Sequence, residues 1–231
     1  LHMEKATTVD EELIHHLSNF VSESRNERFA QVLNNRTRQV SVVLEDIYQP
    51  HNASAVLRTC DIFGIQDVHI IENRNKYTLN PDVELGSAKW LSLNKYNSED
   101  NNTISCLNTL KEKGYKIVAT TPHTTSCDID ELTIDQPTAL VFGTELTGIS
   151  DEVKNNADEF VRIPMYGFTE SFNISVSAAL CLHSISKKLR STDISWQLSK
   201  KEKDILNLEW LRNTIKKHQL IEEAFYAKKA M

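Results

Sequence analysis

The chain has 231 residues, a net charge of −6, 40% hydrophobic and 25% charged residues, with a mean hydropathy of −0.40; this is the composition of a folded globular chain and excludes disorder and collagen-like repeats. Only six glycines are present, and none of them builds the G-x-G-x-x-G turn of dinucleotide-binding folds. Cys60, Cys106, Cys127 and Cys181 stand far apart without a C-x-x-C pair, so neither a metal site nor a disulfide framework is expected and reduced thiols are.

No run of about 18 apolar residues occurs, and the start carries no basic and apolar leader, which leads to the expectation of a cytoplasmic chain without a membrane span. Leu1 and His2 ahead of Met3 read as a vector remnant. Charge is uneven: −2 over residues 1–45, −9 over 46–186 and +5 over 187–231. Arg25, Arg28, Arg36 and Arg38 concentrate in the N-terminal arm. Such runs are usually solvated helix faces, yet an acidic middle between basic ends would also suit a core with phosphate-contacting extensions.

In chain order, Thr8-x-x-Glu11 has the form of a capping box ahead of Leu13, Ile14, Leu17, Phe20 and Val21, whose spacing predicts a helix with one apolar face. A second short helix is expected to about Leu33. Residues 40–47 read as a buried strand, 52–63 as a helix with Ala55, Val56, Ile62 and Phe63 available for packing, and 68–71 as another strand. Residues 97–113 are predicted helical up to Gly114; 115–120, 139–142 and 160–163 are short apolar strands of parallel-sheet type. A long helix follows over 171–190. A last one is expected over 200–229, with Ile205, Leu208, Leu211, Ile215 and Ile221 at helical spacing and Trp210 and Phe225 near that face. Strands alternating with helices predict an α/β sheet.

Three segments carry chemistry. Gly143-Thr-Glu-Leu-Thr-Gly148-Ile149 has the glycine spacing of a phosphate-binding P-loop, but Ile149 stands where the lysine must be, so a nucleotide triphosphate is not expected there. A tight loop at that strand end can instead bring backbone close to a flat ligand. Asn52 opens a helix that places Arg58 less than two turns on; an arginine there can grip a phosphate with two prongs or simply pair with an acid on the surface. In Ile163-Pro-Met-Tyr-Gly-Phe-Thr-Glu-Ser171-Phe172-Asn173-Ile-Ser175-Val-Ser177, a strand ends, a loop turns at Gly167 and polar groups crowd a helix start. They can be caps, or they can present unsatisfied N–H groups to a ligand.

Taken together, N-x-x-x-x-x-R, then G-x-E-x-x-G, then I-P-M-x-G-x-x-E-S-F-N-x-S-x-S closely resemble the three motifs of the SpoU-type RNA ribose 2'-O-methyltransferases within the SPOUT class, and Gly86-Ser-Ala-Lys-Trp90 resembles a further segment of that family. The resemblance covers residues 40–190. The helical arm (1–39) and the basic tail (191–231) are similar to those of its tRNA-modifying TrmH branch. It implies an α/β fold: a SPOUT-type parallel sheet flanked by helices, with a C-terminal trefoil knot and helical extensions at both ends. It further implies S-adenosylmethionine bound bent in the knot, an RNA substrate, a homodimer, and no metal. By resemblance Arg58 is catalytic, assisted by an RNA phosphate; because an arginine side chain is normally fully protonated, an orienting role is as serious an account as a general base.

The resemblance further implies that Asn52 positions Arg58 or the RNA backbone, that Glu145 sits in the second loop, and that Ser171 and Asn173 organise the cofactor edge. Thr120, Gly143, Ile163 and Phe172 would surround the adenosyl group; Phe172 replaces a commoner leucine and keeps an apolar wall. RNA contacts are expected from His51, Arg25, Arg28, Lys216 and Lys217, with support from Lys89 and Arg74. The expected substrate is the D-loop guanosine (guanosine 18) of tRNA. The alternatives are ribose methylation of ribosomal RNA and a non-catalytic RNA-binding assembly factor.

Overall fold

The computed structural model describes residues 11–76, 86–122, 126–144 and 147–229, so Thr8 of the expected capping box lies outside the described residues. The chain divides into two compact units, one of residues 37–196 and one built from both ends, up to Arg36 and from Gln197 onward.

In the larger unit the elements are β1 (Val40–Glu45), α3 (Pro50–Phe63), β2 (Asp67–Ile71), β3 (Ser92–Tyr96), α4 (Asn102–Glu112), β4 (Lys116–Thr120), β5 (Cys127–Asp128), β6 (Thr138–Phe142), α5 (Asp151–Asn156), β7 (Glu159–Arg162) and α6 (Ile174–Arg190). The described strands form one sheet in the order β3-β2-β1-β6-β4-β7-β5, and every pairing is parallel. Strand side chains alternate between faces, and both faces are apolar. Val40, Val42 and Leu44 of β1 with Leu140 and Phe142 of β6 join the core under α3 and α6. Val43, Ala139 and Val141 join the core under α4 and α5. At roughly 1.5–3 kcal/mol for each large side chain withdrawn from water, this two-sided burial is the main force holding the sheet.

Three elements escape the apolar pattern. Ser92–Tyr96 is a half-buried edge strand whose polar sequence gives no run, Cys127–Asp128 is only two residues long, and α5 is a single polar turn held by its cap: Ser150 Oγ accepts from the Val153 N–H at 3.2 Å. Gly86–Trp90 forms a 3-10 turn over Ser87–Trp90. Gly64 closes α3 at φ 77°, a left-handed conformation that favours glycine. Ile62, expected to pack, is 69% exposed, because the buried stripe of α3 runs through Ala53, Val56, Leu57 and Cys60.

The smaller unit holds α1 (Glu11–Ser18), α2 (Glu23–Leu33), α7 (Lys200–Thr214) and α8 (His218–Lys229). The expected single helix over 200–229 is thus two. Ile215 adopts φ −90° and ψ 108°, and the chain turns through Lys216 and Lys217. Glu222 accepts from Arg212 Nε at 2.9 Å and Nη2 at 2.7 Å and lies 2.9 Å from His218 Nδ1, bonds that replace those lost at the break. The Arg212 guanidinium holds the Glu222 carboxyl below the usual carboxylate range.

A second correction concerns the arginines of the arm. Arg36 is buried, its guanidinium 5.4 Å from the centroid of the Trp210 ring, and Arg38 pairs with Asp67 at 3.0 Å. Both serve packing. Arg25 and Arg28 on α2 stay exposed, the latter donating to Gln31 Oε1 at 2.8 Å.

Candidate active site

In an open parallel sheet, ligands bind beyond the carboxyl ends of the strands. A cavity of about 800 Å³ opens there at the ends of β4, β6 and β7, within the range of small-ligand sites. Thr120, Gly143, Ile163 and Phe172 all line it, as does Ser171. These residues are scattered over 53 positions of sequence from Thr120 to Phe172, and the parallel register of β4, β6 and β7 is what assembles them.

Each wall has a local cause. Thr120 ends β4, and its hydroxyl donates to the Val141 carbonyl at 2.9 Å, tying two strand ends together. Gly143 follows β6 where no side chain fits: a Cβ would lie 2.2 Å from the Gly148 carbonyl oxygen. The turn closes on itself through Thr144 N–H to Gly148 O and Gly148 N–H to Thr144 O, both 3.0 Å. Phe142, Ile163, Phe172 and Ile174 supply apolar surface for a flat ring. Cys181 lies at the back, and burial pushes its thiol up to about 12, which leaves it protonated and unreactive. Among the described residues no group of three or more His, Cys, Asp or Glu side chains could hold a metal ion.

The polar start of α6 meets the start of α3. Asn173 Nδ2 donates to Asn52 Oδ1 at 3.1 Å. The Asn173 side-chain oxygen accepts from the Ser175 N–H at 2.9 Å and from its hydroxyl at 2.6 Å, so Asn173 caps α6. Asn52, almost buried, also donates to Gln49 Oε1 at 3.4 Å. One amide thus caps its own helix and anchors the start of the other.

Arg58 is exposed and is not among the described residues lining the cavity. It shares a helix face with exposed His51 and Ile62 and half-buried Ala55, at intervals of three and four residues. Glu145 lies outside the described residues. Lys216 and Lys217 are exposed in the α7–α8 turn, and Arg74 and Lys89 are exposed in the larger unit. Sequence reasoning did not single out Lys154, Arg162 and Met165 of the cavity wall: Met165 lies within the third motif, Arg162 ends β7, and Lys154 sits on α5 with no sequence signal.

The chain is similar in sequence and fold to known proteins. The profile of the SpoU rRNA Methylase family matches residues 39–183. The chain belongs to the SpoU methylase family. A member from Borreliella burgdorferi, named tRNA (guanosine(18)-2'-O)-methyltransferase, is 48% identical over 206 residues, covering 89% of this chain and 93% of the relative. The crystal structure of the Aquifex aeolicus TrmH/SpoU tRNA modifying enzyme matches with a TM-score of 0.75 at 31% identity, covering 84% of this chain and 98% of that one. The SpoU methyltransferase AviRb from Streptomyces viridochromogenes, solved with AdoMet, shares the fold with a TM-score of 0.59 at 22% identity, over 70% of this chain and 62% of its own. The fold of this SpoU family member is thus shared with those solved structures.

Proposed function

We propose that the chain transfers a methyl group from S-adenosylmethionine to a ribose 2'-hydroxyl of RNA, at guanosine 18 of tRNA. The observation that carries the proposal is the cavity that gathers Thr120, Gly143, Ile163, Ser171 and Phe172 in a chain 48% identical to a relative named for that reaction. The residues fit the cofactor: apolar walls suit a purine, and bare backbone at Gly143 admits close approach. Bound there, S-adenosylmethionine would supply an electrophilic sulfonium methyl: an O–CH3 bond forms at the 2'-oxygen as the S–CH3 bond breaks, S-adenosylhomocysteine leaves, and the hydroxyl proton is released to solvent.

The protein's part is alignment, the term that turns two bound reactants into one reacting pair. Arg58 offers a two-pronged cation for an RNA phosphate and a donor to orient the hydroxyl. The Asn52–Asn173 hydrogen bond fixes the start of the helix bearing Arg58 against the helix that closes the cavity. Glu145 belongs to the same proposal as a member of the second motif. Exposed His51, Arg25, Arg28, Lys216 and Lys217 are assigned to RNA contact.

The proposal includes a homodimer and a trefoil-knotted path through the cavity loops. Ile62 on α3 and Val176 and Leu180 on α6 are exposed apolar side chains; a second copy would cover them. Free cysteines, most of them buried, suit a reducing cytoplasm, and no helix among the described residues is long and apolar enough to cross a membrane. Incubation with labelled S-adenosylmethionine and separate tRNA and ribosomal RNA pools, followed by mapping of the methylated nucleotide, tests the reading. Label confined to guanosine 18 of tRNA is expected; label in ribosomal RNA alone would overturn the substrate.

A further inference from the structure

Glu45 is the last residue of β1, and it is buried like the five before it. A carboxylate in that position is costly unless donors replace the lost water. Glu45 has them. Its Oε1 accepts from Thr103 Oγ1 and from Ser150 Oγ, both at 2.7 Å, and its Oε2 accepts from the Ser150 N–H at 3.0 Å. Among the described residues these partners are hydroxyls and an amide, not cations. The hydroxyls are themselves oriented: Thr103 accepts from Asn73 Nδ2 at 2.8 Å, and Ser150 accepts from the Val153 N–H at 3.2 Å.

The placement of these donors matters. Ser150 follows Ile149, which lines the cavity together with Gly143, Thr144, Thr147 and Gly148. Glu45 therefore grips the exit of the glycine turn at two points. Asp46, next along the chain, sits at φ 55°, in the left-handed region that disfavours a residue with a Cβ. Its Oδ1 accepts three N–H groups, from Asn73 at 2.8 Å, Arg74 at 2.8 Å and Asn75 at 3.1 Å. Four residues further on, the chain enters α3 at Pro50, two residues ahead of Asn52. An apolar residue at position 45 could fill the space but would leave the Ser150 N–H and the Thr103 and Ser150 hydroxyls without this acceptor. What the carboxylate adds is geometry.

We propose that Glu45 is a positioning residue for cofactor binding: its carboxylate holds the turn closed by Gly143 and Gly148 in the shape of the cavity wall and locks that wall to the strand leading to Asn52. The inference rests on the reading of the cavity as the S-adenosylmethionine site. Its mark is selectivity. Loss of the grip is expected to weaken cofactor binding while leaving the KM for RNA unchanged within twofold.

Calorimetric titration of S-adenosylmethionine into the full chain tests this with five variants. Glu45→Ala is expected to raise Kd at least tenfold, Glu45→Gln less because its amide oxygen keeps part of the set, and Ser150→Ala about fivefold. Ser150→Thr, which keeps the hydroxyl, is expected to restore binding. Thr103→Val removes an equally short bond to the same carboxylate from the α4 side and is expected to stay within twofold of wild type. Wild-type Kd in Glu45→Gln and Ser150→Ala, or an equal rise in Thr103→Val and Ser150→Ala, would overturn the proposal and leave Glu45 a packing residue. Should Glu45→Ala fail to fold, the Ser150 and Thr103 variants decide. A wild-type chain that binds no S-adenosylmethionine would overturn the reading of the cavity as well, whereas normal binding by every variant overturns this inference alone.

Discussion

The cavity at the sheet edge and the exposed face of α3 are built on opposite principles. The cavity is held by backbone and tied side chains: Gly143 has no room for a Cβ, Thr120 is tied to Val141, Phe142 and Ile174 are buried in its wall, and exposed Ser171 and Phe172 complete it. The α3 face holds Arg58, His51 and Ile62 out into solvent. A cofactor used in every turnover can have its site preformed. Under the proposed function, RNA would instead be met by exposed side chains of this face.

The strongest way to break that comparison is Arg58→Ala. Methyl transfer is expected to fall at least 100-fold, in the range lost when a group that handles the reacting proton is removed, while the Kd for S-adenosylmethionine stays within about twofold; single-turnover transfer at the wild-type rate would remove Arg58 from the mechanism. The reverse experiment is Gly143→Ala, whose Cβ would overlap the Gly148 backbone. Opening the turn is expected to weaken cofactor binding by tenfold or more and to cost about 1–3 kcal/mol of stability, as forced overpacking does, without changing RNA affinity at saturating salt-matched conditions. Calorimetry and a denaturant titration check both halves.

Smaller effects sharpen the comparison by concerning neither region. His69, buried in β2 beside Tyr96, has its pKa lowered to about 4, chiefly by burial and then by Lys113. Between about pH 6.5 and pH 4 the unfolded chain therefore binds a proton that the folded chain refuses, so stability falls as the pH drops through that window, by up to about 3 kcal/mol. Replacing His69 with Gln is expected to flatten the dependence of thermal unfolding on pH there. Smallest is Lys216→Ala with Lys217→Ala: if these exposed cations meet phosphates, affinity for all RNA sequences drops together and the slope of log affinity against log salt falls by roughly 1–2. An unchanged slope would make the turn a solvated one.

The sheet was legible from sequence because parallel strands buried on both faces are continuous apolar runs, as at Val40–Leu44 and Thr138–Phe142. The cavity was legible through Gly143 and the polar crowd at Ser171–Asn173, where local chemistry is unusual. Illegible elements lacked one or the other. Ser92–Tyr96 is stabilised by pairing with β2 and not by its own composition. The break at Ile215 is hidden because apolar residues continue at helical spacing across it, and nothing short of the Arg212–Glu222 bridge reveals it. Arg36 reads as a surface cation until Trp210, 174 positions away, covers it. Glu45 is the sharpest instance, a charge at the end of an apolar run whose three partners come from Thr103 and Ser150.

The Asn52–Asn173 hydrogen bond joins residues separated by 121 positions. Closing so long a loop is entropically slow, and contacts of that span form only once intervening structure has drawn the ends together. The junction of the two motif-bearing helices is therefore expected among the last parts of the larger unit to assemble. Recovery of methyl transfer after dilution from denaturant should lag behind recovery of the sheet, which would make enzymatic activity a clock for the final stage of refolding.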